Sequence, residues 1–120
     1  MANYTGTIAV HQSLAAHTVD VVTLTSVPVG RGDYIASVMV VNRTGGAEIY
    51  ITAGNSTAPL PPDPVVGGND VFVLPASIST ISIPVGGGGT VVKLISTGAE
   101  AYSVEALHTV EVTEIDGGSA

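Results

Sequence analysis

Apolar residues recur at every second position over short stretches of this chain, and turn residues break each stretch before it lengthens. Thr18–Val27 sets Val22 and Leu24 on one face against Thr23 and Thr25 on the other. Ala47–Thr52 places Ala47, Ile49 and Ile51 on one side, with Glu48, Tyr50 and Thr52 opposite. Ser79–Val85 alternates Ile81, Ile83 and Val85 with Thr80, Ser82 and Pro84. A period of two marks a strand with one face buried. Tyr34–Asn42 is apolar almost throughout, the pattern of a strand covered on both faces. Further strands are predicted near Thr5–His11, Val71–Leu74, Thr90–Thr97, Ala101–Leu107 and Thr109–Ile115.

Pro28, Gly30 and Gly32 mark one turn, and Arg43-Thr44-Gly45-Gly46 reads as a hairpin between its flanking strands. Gly86–Gly89 reads as a hairpin tip, and Gly98-Ala99 separates two strands expected to pair. Only residues 11–17 suit a helical turn, and they are too few to be stable alone. The fold class expected is all-β: a two-layer antiparallel β-sandwich, jelly-roll or Ig-like, of about eight strands. Its core should hold Val22, Leu24, Val38, Val40, Ile49, Ile51, Ile81, Ile83, Leu94 and Val104. One domain over residues 1–120 is expected, with 1–19 as a candidate N-terminal arm and 116–120 as a flexible tail.

Composition agrees with strands. Val (19), Ile (9) and Thr (13) make up a third of the 120 residues, and their β-branched side chains pack better on a pleated surface than in a helix. Without cysteine there is neither a disulfide scaffold nor thiolate chemistry. The first residues carry no basic and apolar segments of the kind a secretory signal needs, and no apolar run approaches the ~20 residues of a membrane helix. A soluble chain is expected.

Charge narrows the partners. The formal net charge is −7, and residues 61–120 hold seven acids against Lys93 alone. Three cations in the whole chain cannot displace the counterions of a nucleic acid, and an acidic membrane surface would repel the chain. Neither nucleic acid nor membrane is expected as a partner. The acidity suits solubility, or complementarity to a basic partner surface.

Candidate chemistry is sparse. His11, His17 and His108 have no metal-site spacing and read as ordinary polar residues. No serine lies in a strand-to-helix elbow, and the acid pairs Glu111/Glu114 and Asp63/Asp70 lack an aromatic cleft to raise a pKa. Gly86–Gly89 lacks the Lys-Ser/Thr of a phosphate loop. Arg31-Gly32-Asp33, an integrin-ligand tripeptide, falls in a turn, and sequons begin at Asn3, Asn42 and Asn55. Asp63, Asn69 and Asp70 offer oxygens without the spacing of a calcium loop. No catalytic residue, metal ligand or cofactor is therefore assigned, and the chain reads as a non-enzyme.

The most distinctive stretch is the loop from Ala53 to Asp70, rich in Pro and Gly. Loops of this length inside compact domains often carry function. Its prolines restrict the free chain, so an apolar segment there loses less entropy on docking. Pro59, Leu60, Pro61, Pro62, Val65 and Val66 are the candidate partner-binding residues.

Three stretches carry a resemblance. Val38-Met-Val-Val-Asn-Arg-Thr-Gly-Gly-Ala-Glu-Ile-Tyr-Ile-Thr52, Val71-Phe-Val-Leu-Pro75 and Val91-Val-Lys-Leu-Ile-Ser-Thr-Gly-Ala-Glu-Ala-Tyr-Ser-Val-Glu105 together resemble small β-sandwich virion proteins of tailed bacteriophages, notably of phages infecting actinobacteria. The resemblance spans about residues 35–107 and includes no catalytic signature. It implies a capsid decoration protein: a structural protein made in the host cytoplasm, added to the exterior of an assembled head, bound to the major capsid protein lattice and commonly a homotrimer. Its N-terminal Met1–Val19 matches no capsid-gripping arm. A tail or head–tail connector component is the alternative within the particle. A cell-surface adhesion or carbohydrate-binding module is the alternative outside it, disfavoured by the absence of Trp for stacking on sugars.

Overall fold

In a computed structural model, which describes residues 1–25, 34–55, 60–85 and 89–109, the chain is all-β. Nine strands form: β1 (Ala2–Gly6), β2 (Ala9–Ser13), β3 (Asp20–Thr25), β4 (Tyr34–Asn42), β5 (Ile49–Asn55), β6 (Phe72–Leu74), β7 (Ser79–Pro84), β8 (Gly89–Ser96) and β9 (Ala101–Thr109). They make two sheets, one of five strands in the order β1-β3-β8-β5-β6 and one of four in the order β2-β9-β4-β7. The expected sandwich is therefore present, with nine strands. One pair departs from the antiparallel rule, since β1 runs parallel to β3.

The turn expected at Pro28, Gly30 and Gly32 lies outside the described residues, and several of the other turn signals mean something other than a hairpin. β4 and β5 lie in different sheets, so Arg43–Gly46 carries the chain across the sandwich. β8 and β9 are likewise in different sheets, so Gly98-Ala99 is a crossover between layers and the two strands do not pair. β7 and β8, either side of Gly86–Gly89, also belong to different sheets, which removes that hairpin too. Glycine and polar residues mark a reversal of direction equally well in both geometries. Only β5 and β6 are consecutive strands within one sheet.

The N-terminal residues are not a free arm. The single strand expected near Thr5–His11 divides at Thr7-Ile8, giving β1 to one sheet and β2 to the other. Residues 11–17 form no helix: β2 runs to Ser13, Leu14 is buried, and its N–H donates to the carbonyl of Glu100 at 2.8 Å. His17 takes a positive φ of 58° in the turn that follows.

The core follows the period-2 phases. Val22 and Leu24 of β3, Val38 and Val40 of β4, Ile49 and Ile51 of β5, Ile83 of β7, Leu94 of β8 and Val104 of β9 are all buried, joined by Val10, Leu14, Leu74, Val92 and Tyr102. Ile81 is packed against this cluster but only half-buried, because β7 is an edge strand. Each fully buried aliphatic side chain contributes about 1.5–3 kcal/mol relative to exposure.

Polar groups that enter this interior are paired, as burial demands. Asn42 is fully buried and makes three hydrogen bonds: its amide donates to the carbonyls of Ala47 (3.0 Å) and Pro75 (3.2 Å), and its Oδ1 accepts from the N–H of Gly45 (2.9 Å). This one side chain holds the β4–β5 crossover against the segment that leads from β6 to β7. The buried carboxylate of Glu100 accepts from the Gly46 N–H at 2.8 Å, tying the β8–β9 crossover to the same corner. The sequon at Asn42 is thus occupied by structural duty.

Candidate functional site

The proline loop lies folded back on the outer face of the five-stranded sheet. That face is built from Val21 and Thr23 of β3, Val91, Lys93 and Ile95 of β8, and Tyr50, Thr52 and Gly54 of β5, which the strand registers bring into rows. Period 2 predicts that Thr52 faces solvent, yet it is 5% exposed. The loop is the reason: the Thr52 hydroxyl donates to the carbonyl of Pro62 at 2.6 Å. Gly54 lies beneath Pro61, and a Cβ there would meet Pro61 Cδ at 3.4 Å, an ordinary van der Waals contact. Lys93 Nζ reaches Asp63 Oδ1 at 3.0 Å, and a turn closes beyond it with the Gly68 N–H donating to the Val65 carbonyl at 2.9 Å.

This strap sorts the candidate partner-binding residues. Pro61 and Pro64 are both buried, and Pro61 packs over Gly54 of β5, so Pro61 acts as an internal anchor and is turned away from the surface. Leu60 (55% exposed), Pro62 and Val65 (64% exposed) remain at the surface, and Val66 is half-buried. Pro59 lies outside the described residues. The result is an apolar ridge on a fixed backbone, flanked by the exposed carboxylate of Asp63.

Two groupings went unseen in the sequence. His11 and Ser103, far apart in the chain, are directly opposite on β2 and β9, with Nδ1 and Oγ 2.7 Å apart. A serine beside a histidine is the start of a nucleophile pair. Here Ser103 is only 3% exposed, no carboxylate bonds the imidazole among the described residues, and those residues enclose no pocket to seat a substrate. The pair cross-links two strands. The second grouping is Asp20 with Tyr102, in the interior between the sheets.

The remaining candidates stay apart. Asp63 is engaged with Lys93, and Asp70 stands at a turn with a φ of 61°. Among the described residues no three His, Cys, Asp or Glu side chains gather as a metal site would require. Asn3 is exposed on the edge strand β1. Arg31-Gly32-Asp33, Gly86–Gly88, Glu111, Glu114 and the strand expected at Thr109–Ile115 beyond Thr109 lie outside the described residues, as do the tail 116–120 and the side chains of Asn55 and His108. Among the described residues no helix is long and apolar enough to cross a membrane.

No known family profile matches the chain, and no curated protein matches it. Among solved structures it is similar to the pre-peptidase C-terminal domain of a collagenase from Bacillus anthracis, at 13% identity and a TM-score of 0.46, over 89% of this chain and 95% of that one. A likeness at that level bears on neither activity nor partners.

Proposed function

We propose that this chain is a non-catalytic structural protein that attaches to a preassembled protein lattice, as a capsid decoration protein on the exterior of a phage head does. The observation that supports the reading is the strapped loop. Thr52, Lys93 and Pro61 fix its backbone while Leu60, Pro62 and Val65 face outward. An apolar ridge whose backbone is already ordered gives up little conformational entropy on docking, so more of its contact energy appears as affinity. The chain's net charge of −7 suits a basic surface on the lattice and would speed encounter at low salt.

The test is co-sedimentation with heads that lack the protein. Wild type is compared with L60S/V65S, which keeps every strap anchor and removes the two most exposed apolar side chains of the ridge. Wild type should pellet with the heads, and the variant should bind at least tenfold more weakly. Equal binding by both removes the ridge from the interface. Wild type that ignores heads and binds tails or connectors replaces the decoration reading with the tail reading.

A further inference from the structure

We propose that β7 forms a two-fold, antiparallel pair with β7 of a second copy, joining the four-stranded sheets of two chains into one of eight. This surface is separate from the loop ridge, so the proposal stands or falls without it.

The hydrogen-bonding phase of β7 can be read from its neighbours. The Arg43 N–H donates to the carbonyl of Ala101 across β4 and β9 at 2.8 Å, so odd-numbered residues at this end of β4 bond toward β9. Successive residues of a strand bond to opposite sides. Val38, Val40 and Asn42 therefore bond toward β7, where their partners are Ile83, Ile81 and Ser79. The N–H and C=O groups of Thr80 and Ser82 are left pointing out of the sheet edge. Pro84 fits the same phase, since a proline sits in a sheet where its missing N–H faces away from the ladder.

Edges of this kind are normally blunted by charge, proline, bulges or brevity. β7 has only the proline at its end, Pro84: its six residues, Ser-Thr-Ile-Ser-Ile-Pro, carry no charge, and its register with β4 is unbroken. β4 is its neighbour in the sheet, and β6 of the other sheet adjoins it. On a chain with a net charge of −7 this uncharged strip is where a like-charged copy can approach. It is also where apolar groups lie open, with Ile78 76% exposed, Phe72 and Val73 of neighbouring β6 at 45% and 43%, and inward-facing Ile81 half-uncovered.

The faces select the register. Paired residues must share a face, so odd positions meet odd ones. Centring the two-fold on Ile81 sets Ile81 opposite Ile81 of the second copy and Thr80 opposite its Ser82, with Ile78 against its Pro84. Thr80 and Ser82 then exchange both backbone bonds on each side, four in all by symmetry. The strip is roughly 20 Å long and about as deep, so both copies together bury about 800 Å², below the ~1,000 Å² that a stable interface should clear. The pair is therefore a weak dimer that forms with rising concentration. A two-fold contact closes at two copies, which departs from the trimer that the family resemblance implies.

Sedimentation equilibrium of the full chain should show monomer at about 1 μM and dimer growing in above about 100 μM, as a weak, transient pair would. T80K/S82K adds positive charge to outward-facing, exposed positions that lie opposite each other across the pair. It should stay monomeric with an unchanged melting temperature, although two added positive charges bring the net charge of −7 closer to zero. Because the chain has no cysteine, I81C is a unique probe: oxidation should link it to a covalent dimer and leave S82C largely monomeric. Wild type that remains monomeric or sediments as a trimer overturns the proposal, as does T80K/S82K that dimerises like wild type. Linkage at S82C and not I81C overturns the register.

Discussion

The Tyr102 hydroxyl donates a 2.9 Å hydrogen bond to Oδ2 of Asp20, 82 residues earlier in the chain, and both residues are buried. Burial pushes the Asp20 carboxyl above the usual aspartate range by more than the hydrogen bond from Tyr102 pulls it down. The same burial, with the carboxylate beside it, raises the Tyr102 hydroxyl far enough that it remains a donor at any working pH.

Substituting Tyr102→Phe leaves the carboxyl buried without its donor and should cost about 1–3 kcal/mol. Asp20→Asn keeps an acceptor for Tyr102 and removes the ionisable group. Because the folded pKa is raised, the folded state binds the proton more tightly than the unfolded one. The stability from this group is complete below the unfolded value and is lost as pH rises through the folded one. Urea unfolding from pH 3.5 to 8 should show wild type losing ground to Asp20→Asn as pH rises. A difference between the two that is flat with pH would contradict this.

Gly45 and Gly67 both have positive φ, at 77° and 70°, but differ in surroundings. A Cβ on Gly45 would stand 2.7 Å from the backbone nitrogen of Ile78, whereas one on Gly67 would meet nothing within 4 Å. Gly67→Ala should cost only the left-handed penalty, about 1–2 kcal/mol. Gly45→Ala also displaces the corner held by Asn42 and should cost roughly 3 kcal/mol or more. Similar melting temperatures for the two variants would show that the corner yields.

The strap on the five-stranded sheet should depend more on Thr52 than on Lys93. Asp63 is half exposed, so Lys93→Met should cost under about 1 kcal/mol and show no effect at high salt. Thr52→Val keeps the shape and deletes the bond to Pro62, with a loss of about 1 kcal/mol. Amide exchange at Gly68, whose N–H closes the loop turn, is the readout, and it should quicken more in Thr52→Val. The opposite order would make the ion pair the main anchor.

A chelator should leave the melting temperature unchanged, because Asp63 is engaged by Lys93 and an agent that removes no bound ligand shifts no folding equilibrium. A fall of several degrees would point to a bound cation at the Asp63–Asp70 loop.

Much of the interior was legible because alternation is local. Val22, Leu24, Ile49, Ile51 and Ile83 declare their face within a few residues of chain. Sheet membership is not local. Gly45 and Gly98 look alike whether the chain returns beside itself or crosses the sandwich, and only packing at a distance distinguishes the two. Thr52 was assigned to solvent because nothing in its own strand announces the loop that covers it. Asp20 heads a strand, where a polar residue is unremarkable, and the tyrosine that meets it comes near the end of the chain. The loop was recognisable by its prolines, but which prolines face inward depends on Gly54, Thr52 and Lys93 beneath them.

β8 separates β3 from β5 in one sheet, and β9 separates β2 from β4 in the other. A chain emerging from the ribosome therefore makes the rims of both layers before either middle exists. Without residues 89–109 the ladders left are β1 with β3, β5 with β6 and β4 with β7, while β2 has no partner. Two-stranded ladders of this kind are marginal in water. The nascent protein must then keep its valines and isoleucines from neighbouring chains until β8 and β9 have been made, and fold in one step that waits for them. Ribosome-held chains ending at residue 88 should be cut by protease as readily as an unfolded chain, and protection at that length would show that the rims hold together on their own.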